Sequence, residues 1–225
     1  MTKTKSVLYM PDGNRRFARK EGIPFSEAYH AGARTLRLFS DFFVAEGRSE
    51  QFVFHVMSDY THKRTDLTLG PIYDAIRECF GELQEDRFFE NRAIKFRAID
   101  HSGKIPLELR GACERLERAS LNGASGEVVV LLGYSLEKDY NDALAGGPKN
   151  YEELRGQLLF PDIDLVIRPK EMRPSSGPVY AMGQSQIVVL DKLNPEVERA
   201  DLLRVLEEYD RWKSYKEENN PAHRI

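Results

Sequence analysis

The chain has 225 residues, 41% of them hydrophobic, enough to bury the core of one domain without requiring two. Its 33 basic and 36 acidic residues leave a formal charge of -3, so bulk electrostatics offers no attraction to nucleic acid or to an anionic membrane, and any anion site has to be local. Cys79 and Cys113 lie far apart without metal-ligand spacing, as expected of two reduced thiols in a cytoplasmic protein, and no apolar run reaches the length of a membrane span or a signal-peptide core.

The first strand is expected over Ser6 to Met10 and runs at once into "PDGNRRFARKEG", a turn followed by a helix over Asn14 to Glu21. A longer helix is expected from Ser26 to Glu46, then a strand from Gln51 to Val56 and a helix from Leu67 to Glu90. The alternation continues with a strand at Ala93 to Ile99, a helix at Pro106 to Ser120, a strand at Glu127 to Leu132 and a helix at Glu137 to Ala145. After a Gly-Gly-Pro loop come strands at Asp164 to Ile167 and Ile187 to Leu190, a last helix over Glu198 to Glu217, and a polar tail. This order predicts a single α/β domain over residues 1–225, with a mostly parallel six-stranded sheet flanked by helices in Rossmann-like alternation. In such a sheet ligands gather at the carboxyl ends of the strands.

Leu67, Ile72, Ile76, Phe80 and Leu83 share one helix face, and with Phe39, Phe42 and Phe43 they are expected in the core, the wall of an apolar tunnel being the alternative. His55, inside an apolar strand, reads as a core histidine, and His101 and His223 as loop and tail residues. No Walker A run, dinucleotide glycine fingerprint, His-Glu-x-x-His pair or nucleophile-elbow serine is present, and nothing in motif content supports nucleic-acid binding.

Two stretches carry chemistry. In the first, Gly13 permits close backbone approach, the first-turn amides at Gly13 to Arg16 point outward with the positive end of the helix dipole, and Arg15 and Arg16 add guanidinium donors. Asp12 is an oxygen ligand suited to a magnesium ion shared with a diphosphate. The plainer alternative is an Asp-Gly turn capping a helix with two solvated arginines. In the second, "RPKEMRPSSG" at 168–177, Arg168 and Arg173 with Ser175 and Ser176 follow another strand, so a parallel sheet would put both anion sites on one rim. A basic loop neutralising Asp162 and Glu171 is the alternative there.

At these residues the chain resembles the cis-prenyltransferase family, the undecaprenyl diphosphate synthase-like enzymes, from about Ser6 to about Tyr215. The family's Asp-Gly-Asn-x-Arg-aromatic-Ala stands here as Asp12 to Ala18, and its Ile-Arg followed by Glu, Arg and Ser stands as Ile167, Arg168, Glu171, Arg173 and Ser175. The run from Leu193 to Arg211 is similar to the family's Pro-containing approach and last helix. The resemblance implies a Mg2+-dependent transfer between prenyl diphosphates in a homodimer. Asp12 would hold the metal, Asn14 would sit near the departing diphosphate, and Arg16 would contact it. Arg168, Arg173 and Ser175 would hold the second diphosphate.

The family's third motif, aromatic-Ser-x-Glu-Asn-Trp followed by Arg, aligns with "MSDYTHKR", where only Ser58 and Arg64 persist; Tyr60, Thr61 and His62 replace the Glu, Asn and Trp. Phe25 stands for a basic residue, Tyr29 for a histidine with His30 next to it, and Gln186 for an acidic metal ligand. Ser58, Asp59, Tyr60, His62, Arg64, Tyr29 and His30 are therefore the candidates for a rebuilt acceptor site or for taking up a proton. The pattern is similar to short irregular members, cyclolavandulyl diphosphate synthase among them, that join two dimethylallyl units head to middle. The implied substrates are dimethylallyl diphosphate, with isopentenyl or geranyl diphosphate as further partners. Transfer to a non-diphosphate acceptor and a non-catalytic partner subunit are the alternatives.

Overall fold

The computed structural model describes residues 3–63 and 69–219. Six strands form one sheet: β1 (Thr4–Tyr9), β2 (Ser49–Ser58), β3 (Ile94–Asp100), β4 (Gly126–Tyr134), β5 (Leu165–Pro169) and β6 (Gln186–Leu190). Their order is β3-β4-β2-β1-β5-β6, and every pairing is parallel. Central β1 reads Val-Leu-Tyr because both faces are covered: Val7 and Tyr9 enter the larger core cluster and Leu8 and Met10 the smaller one opposite, all nearly solvent-free. Phe39, Phe42, Phe43 and Phe80 are part of the larger core.

Helices α1 (Asn14–Glu21), α2 (Phe25–Ala33) and α3 (Thr35–Phe39) follow β1. The helix expected over 26–46 is thus interrupted at Arg34 and ends in a π-helical turn over Ser40–Ala45, in which Phe42, Phe43 and Val44 are buried in succession. Helix α4 (Leu69–Glu85) stops where Arg87 turns left-handed (φ 45°), before the short α5 (Phe88–Asn91). Then come α6 (Leu107–Ala119), α7 (Leu136–Ala145), α8 (Tyr151–Gln157) and α9 (Arg199–Asn219). The start of the expected helix at Leu67 and most of the polar tail, with His223, lie outside the described residues. No helix among the described residues is long and apolar enough to cross a membrane.

The chain leaves β1 toward β2 on one side and returns later to place β5 and β6 on the other, so the strand order reverses between β1 and β5. At that switch point Tyr9 pairs with Ile167, and the Met10 N–H donates to the Ile167 carbonyl at 3.1 Å. Residues 10–16 and 168–176 therefore leave the sheet side by side, where open α/β sheets hold their ligands.

Candidate active site

The rim turn after β1 is built on Gly13, whose φ of 95° a side chain would resist and whose α face lies against Leu193: a Cβ there would come within 2.7 Å of Leu193 Cδ2. Gly13 supplies no side-chain cap to α1, and no acidic residue occupies the helix's first turn. The Gly13 N–H, expected among the outward-pointing donors, instead donates to Asp12 Oδ1 at 2.5 Å, so it is the amides of Asn14 to Arg16 that are left for an anion at the positive end of the helix.

The loop after β5 meets this turn directly. Arg168, 3% exposed, reaches Asp12 Oδ2 at 3.5 Å. Arg16 lies 3.4 Å from Asp12 and 3.2 Å from Glu171, and Arg173 lies 3.4 Å from Glu171. Burial lowers the Arg168 pKa, opposed by the Asp12 and Glu171 carboxylates; a guanidinium starting so high stays charged. Lys170, Ser175 and Ser176 have left-handed φ of 61°, 42° and 59°, conformations uncommon outside glycine that turn the serines back toward the rim.

Together these segments line a cavity of about 500 Å³. Among the described residues, five arginines (Arg15, Arg16, Arg19, Arg168 and Arg173) and one carboxylate, Asp12, line it, with Asn14, Ser58, Tyr60, Thr61, Tyr29, Ser175 and Ser176 among the others. This local excess of positive charge contrasts with the chain's net charge of -3. Beside it a mostly apolar slot of only about 60 Å³ opens between α2, α4 and the sheet, lined by Tyr29, Ala33, Phe54, Val56, Ile72, Ala75 and Ile76, with Asn14 and Asn194 as its polar lining residues. Behind the slot Tyr9 stacks on Phe39 at 3.9 Å and leans on Phe54 at 5.7 Å.

Other residues singled out in the sequence lie elsewhere. His30 faces Glu78, its Nε2 3.0 Å from the carboxylate. Both ring nitrogens of His62 are engaged: Nε2 meets the Leu132 carbonyl at 3.1 Å and Nδ1 the Tyr73 hydroxyl at 2.7 Å, which pins the short 3₁₀ turn after β2. The tautomer follows, since Nε2 must donate to a carbonyl. Asp59 accepts from the Tyr60 N–H at 2.8 Å. Arg64 lies outside the described residues. Gln186 begins β6, paired with Leu165 at the amino end of the sheet, so within one chain it is at the opposite end from Asp12.

Two lining residues, Arg19 and His55, were not among the functional candidates expected from the sequence, where His55 reads as a core histidine. Arg19 comes one turn after Arg15 on α1. His55 precedes a register shift between β2 and β4 that lets consecutive residues reach the rim; it lines the cavity, and its buried Nε2 has no partner among the described residues. Burial, with Arg168 nearby, pushes its pKa down to about 3, so the imidazole is neutral. The clue was a lone histidine at the carboxyl end of an otherwise apolar strand.

No cluster of three His, Cys, Asp or Glu side chains suited to a metal occurs among the described residues. Asp12 is the carboxylate that faces the cavity, a donor set that fits an ion taking most of its oxygens from phosphate and water, as magnesium does.

The family profile described as "Putative undecaprenyl diphosphate synthase" matches residues 10–216. The chain is 26% identical over 219 residues to a tritrans,polycis-undecaprenyl-diphosphate synthase (geranylgeranyl-diphosphate specific) of Pyrobaculum aerophilum, covering 91% of this chain and 92% of that one. It is 27% identical to the protein of the same name from Sulfurisphaera tokodaii, covering 92% and 85%. Among solved structures it superimposes on lavandulyl diphosphate synthase from Lavandula x intermedia in complex with dimethylallyl diphosphate, with a TM-score of 0.78, 19% identity and coverage of 91% and 94%. A probable undecaprenyl diphosphate synthase from Campylobacter jejuni gives a TM-score of 0.74 at 19% identity, covering 93% and 96%.

Proposed function

From the premise that the chain belongs to the undecaprenyl diphosphate synthase family and is a prenyl diphosphate synthase, hence a prenyltransferase, we propose that it joins two five-carbon diphosphates into a short-chain product. The observation that carries this reading is the size of the apolar slot. The slot offers about 60 Å³ before the Tyr9–Phe39–Phe54 aromatic stack, less than half of the roughly 150 Å³ of a cavity that holds benzene, so a tail entering from the larger cavity can place only its tip there. That supports a short tail at the allylic site, while the polar cavity of about 500 Å³ has room for two diphosphates; a further apolar pocket of about 230 Å³, lined by Met172, Val179, Met182 and Ile187, lies beside Arg168 and Arg173.

In this reading the allylic diphosphate sits over the amides of Asn14 to Arg16, with Arg16 and Asn14 on its oxygens. Mg2+ held by Asp12 would supply charge neutralisation for the leaving group. Arg15, Arg16 and Arg19 add fixed positive charge where the diphosphate becomes more negative as its C–O bond breaks. Arg168, Arg173 and Ser175 hold the second diphosphate and aim its double bond at the allylic carbon. Arg168, Arg173 and Ser175 on the acceptor side of the cavity favour a phosphorylated acceptor over an aromatic one. Dimethylallyl diphosphate is the donor; a second dimethylallyl unit, joined head to middle, or isopentenyl diphosphate is the acceptor. A homodimer belongs to the same proposal, supported by the exposed Ile187 and Val189 on edge strand β6, and light scattering measures it directly.

The test is to incubate the protein and magnesium with dimethylallyl diphosphate, alone and with isopentenyl diphosphate, and in parallel with geranylgeranyl diphosphate. Ten-carbon products from the first mixtures are expected. Extension of the twenty-carbon primer in preference to them would overturn the short-chain reading.

A further inference from the structure

Asn194 carries no signal in the sequence beyond an asparagine before a proline, yet it is 1% exposed and sits behind the first turn of α1. The Tyr9 hydroxyl donates to its Oδ1 at 2.6 Å. The single hydrogen of the Thr35 hydroxyl is shared between the same oxygen at 3.0 Å and the Gly32 carbonyl at 2.6 Å. The Asn194 Nδ2 faces the Gly32 carbonyl at 3.1 Å and Asn14 Oδ1 at 2.9 Å.

The direction of these bonds is fixed by one atom. The Gly32 carbonyl can only accept, so the Asn194 group facing it is the NH2; turning the amide over would set two carbonyl oxygens against each other in a buried place. One hydrogen of that NH2 goes to Gly32 and the other to Asn14, whose receiving atom must be its carbonyl oxygen. Asn14 is therefore held with its oxygen inward and its own NH2 free to face the cavity that it lines.

We infer that Asn194 is a positioning residue that sets the polarity of Asn14. It makes Asn14 a hydrogen-bond donor to a diphosphate oxygen and withholds its oxygen from any cation in the cavity. The inference rests on the reading of the α1 amino terminus as a diphosphate site.

Two further features act to the same end. A Cβ on Gly32 would collide with Asn14 Oδ1 and Asn194 Nδ2, so the bare glycine of α2 is what lets the two amides meet. The Asn194 N–H also donates to the Asp12 carbonyl at 2.9 Å, tying the backbone of the rim turn to the same segment. Burial raises the Tyr9 pKa well above its ordinary value, so its hydroxyl keeps the proton that orients the network.

Inorganic pyrophosphate, without metal, is the probe, and its affinity for the wild-type chain, Asn14→Ala, Asn194→Ala and the double variant is measured by calorimetry. Asn14→Ala is expected to weaken binding about tenfold, as for a lost hydrogen bond to a charged group. Asn194→Ala should weaken it several-fold although it cannot touch the anion, and the double variant should bind no more weakly than Asn14→Ala. Unchanged affinity in Asn194→Ala beside a weakened Asn14→Ala overturns the positioning role alone. Wild-type affinity in Asn14→Ala overturns the diphosphate reading beneath it. Side-chain amide NMR of the wild-type protein needs no variant to fold: pyrophosphate should shift the Asn14 NH2 signals and leave those of Asn194 in place. Binding that leaves the Asn14 signals unmoved contradicts the inference.

Discussion

The turn after β1 and the loop after β5 leave the sheet as neighbours but are held differently. Residues 12–14 are clamped from behind by Leu193 and Asn194 through packing on Gly13, a backbone bond to Asp12 and a side-chain bond to Asn14. Residues 170–176 are tied at their start, where the Lys170 N–H donates to the Leu190 carbonyl at 2.8 Å, but are open beyond it: Met172 is 85% exposed, the Arg173 side chain 72%, and three residues take left-handed backbone conformations. Of this segment's two arginines only Arg168, at the strand end, is buried. On the function proposed above, the first site would be preorganised for a diphosphate whose departure is the difficult step, where fixed donors matter most. The second would hold and aim an acceptor, for which arginines on an exposed loop suffice. The two segments are joined through the Arg168–Asp12 and Arg16–Glu171 pairs.

Substitutions that remove this difference should have unequal effects. The largest is expected for Asp12→Ala, which takes away the carboxylate facing the leaving group: turnover should fall by about a thousandfold or more, a few kcal/mol of transition-state stabilisation, in steady-state assays. Next is Asn14→Asp, which keeps the bond from Asn194 but turns an oxygen instead of an NH2 toward the allylic diphosphate. A drop in kcat/KM of about a hundredfold is expected, from one lost charge-assisted bond and one new repulsion. Arg173→Ala, on the exposed loop, should raise KM for the acceptor about tenfold and leave binding of the allylic substrate unchanged. If it spares activity, the acceptor carries no diphosphate.

Two smaller effects probe the core behind the sites. Ile76→Ala deepens the slot, and products one isoprene unit longer should appear alongside a stability loss of about 2–4 kcal/mol measured by urea unfolding. His55 supplies a pH test. Its folded pKa, lowered to about 3 from an ordinary 6.5, means that the unfolded chain binds the extra proton between those values. Its contribution to stability is therefore complete above pH 6.5 and declines by about 1.4 kcal/mol per unit as pH falls toward 3. His55→Gln should flatten that part of the stability profile, whereas an unchanged slope would place the imidazole in contact with solvent.

Much of this was readable in advance, for reasons that differ by element. All six strands were legible because a sheet covered on both faces leaves runs such as VVVLL that nothing else explains. The rim motifs were legible because glycine, acid and paired arginines are costly to place beside a strand end without a use. Helix α8 escaped because none of its residues is buried, so it has no apolar face to read. The break after α2 escaped because apolar periodicity continues through Arg34 into the π-helical turn. His55 and Asn194 were hidden for a deeper reason: a lone polar residue in an apolar strand or before a proline looks like packing or a turn. Its partners, 180 or more positions away for Asn194 with Tyr9 and Asn14, exist only once the chain has folded. Gln186 shows the converse, since aligned identity suggested a weakened metal site while the sheet puts that residue at the other end of the same chain.

The most direct test of the central claim is a crystal structure with a non-ionising thiolo analogue of dimethylallyl diphosphate, isopentenyl diphosphate and magnesium. The account predicts two diphosphates side by side in the cavity, one over the amides of Asn14 to Arg16 with the metal on Asp12, the other on Arg168 and Arg173, with the allylic tail ending at Phe54 and Ile76. A single diphosphate spanning both loops, or a tail that bypasses the slot, would contradict it.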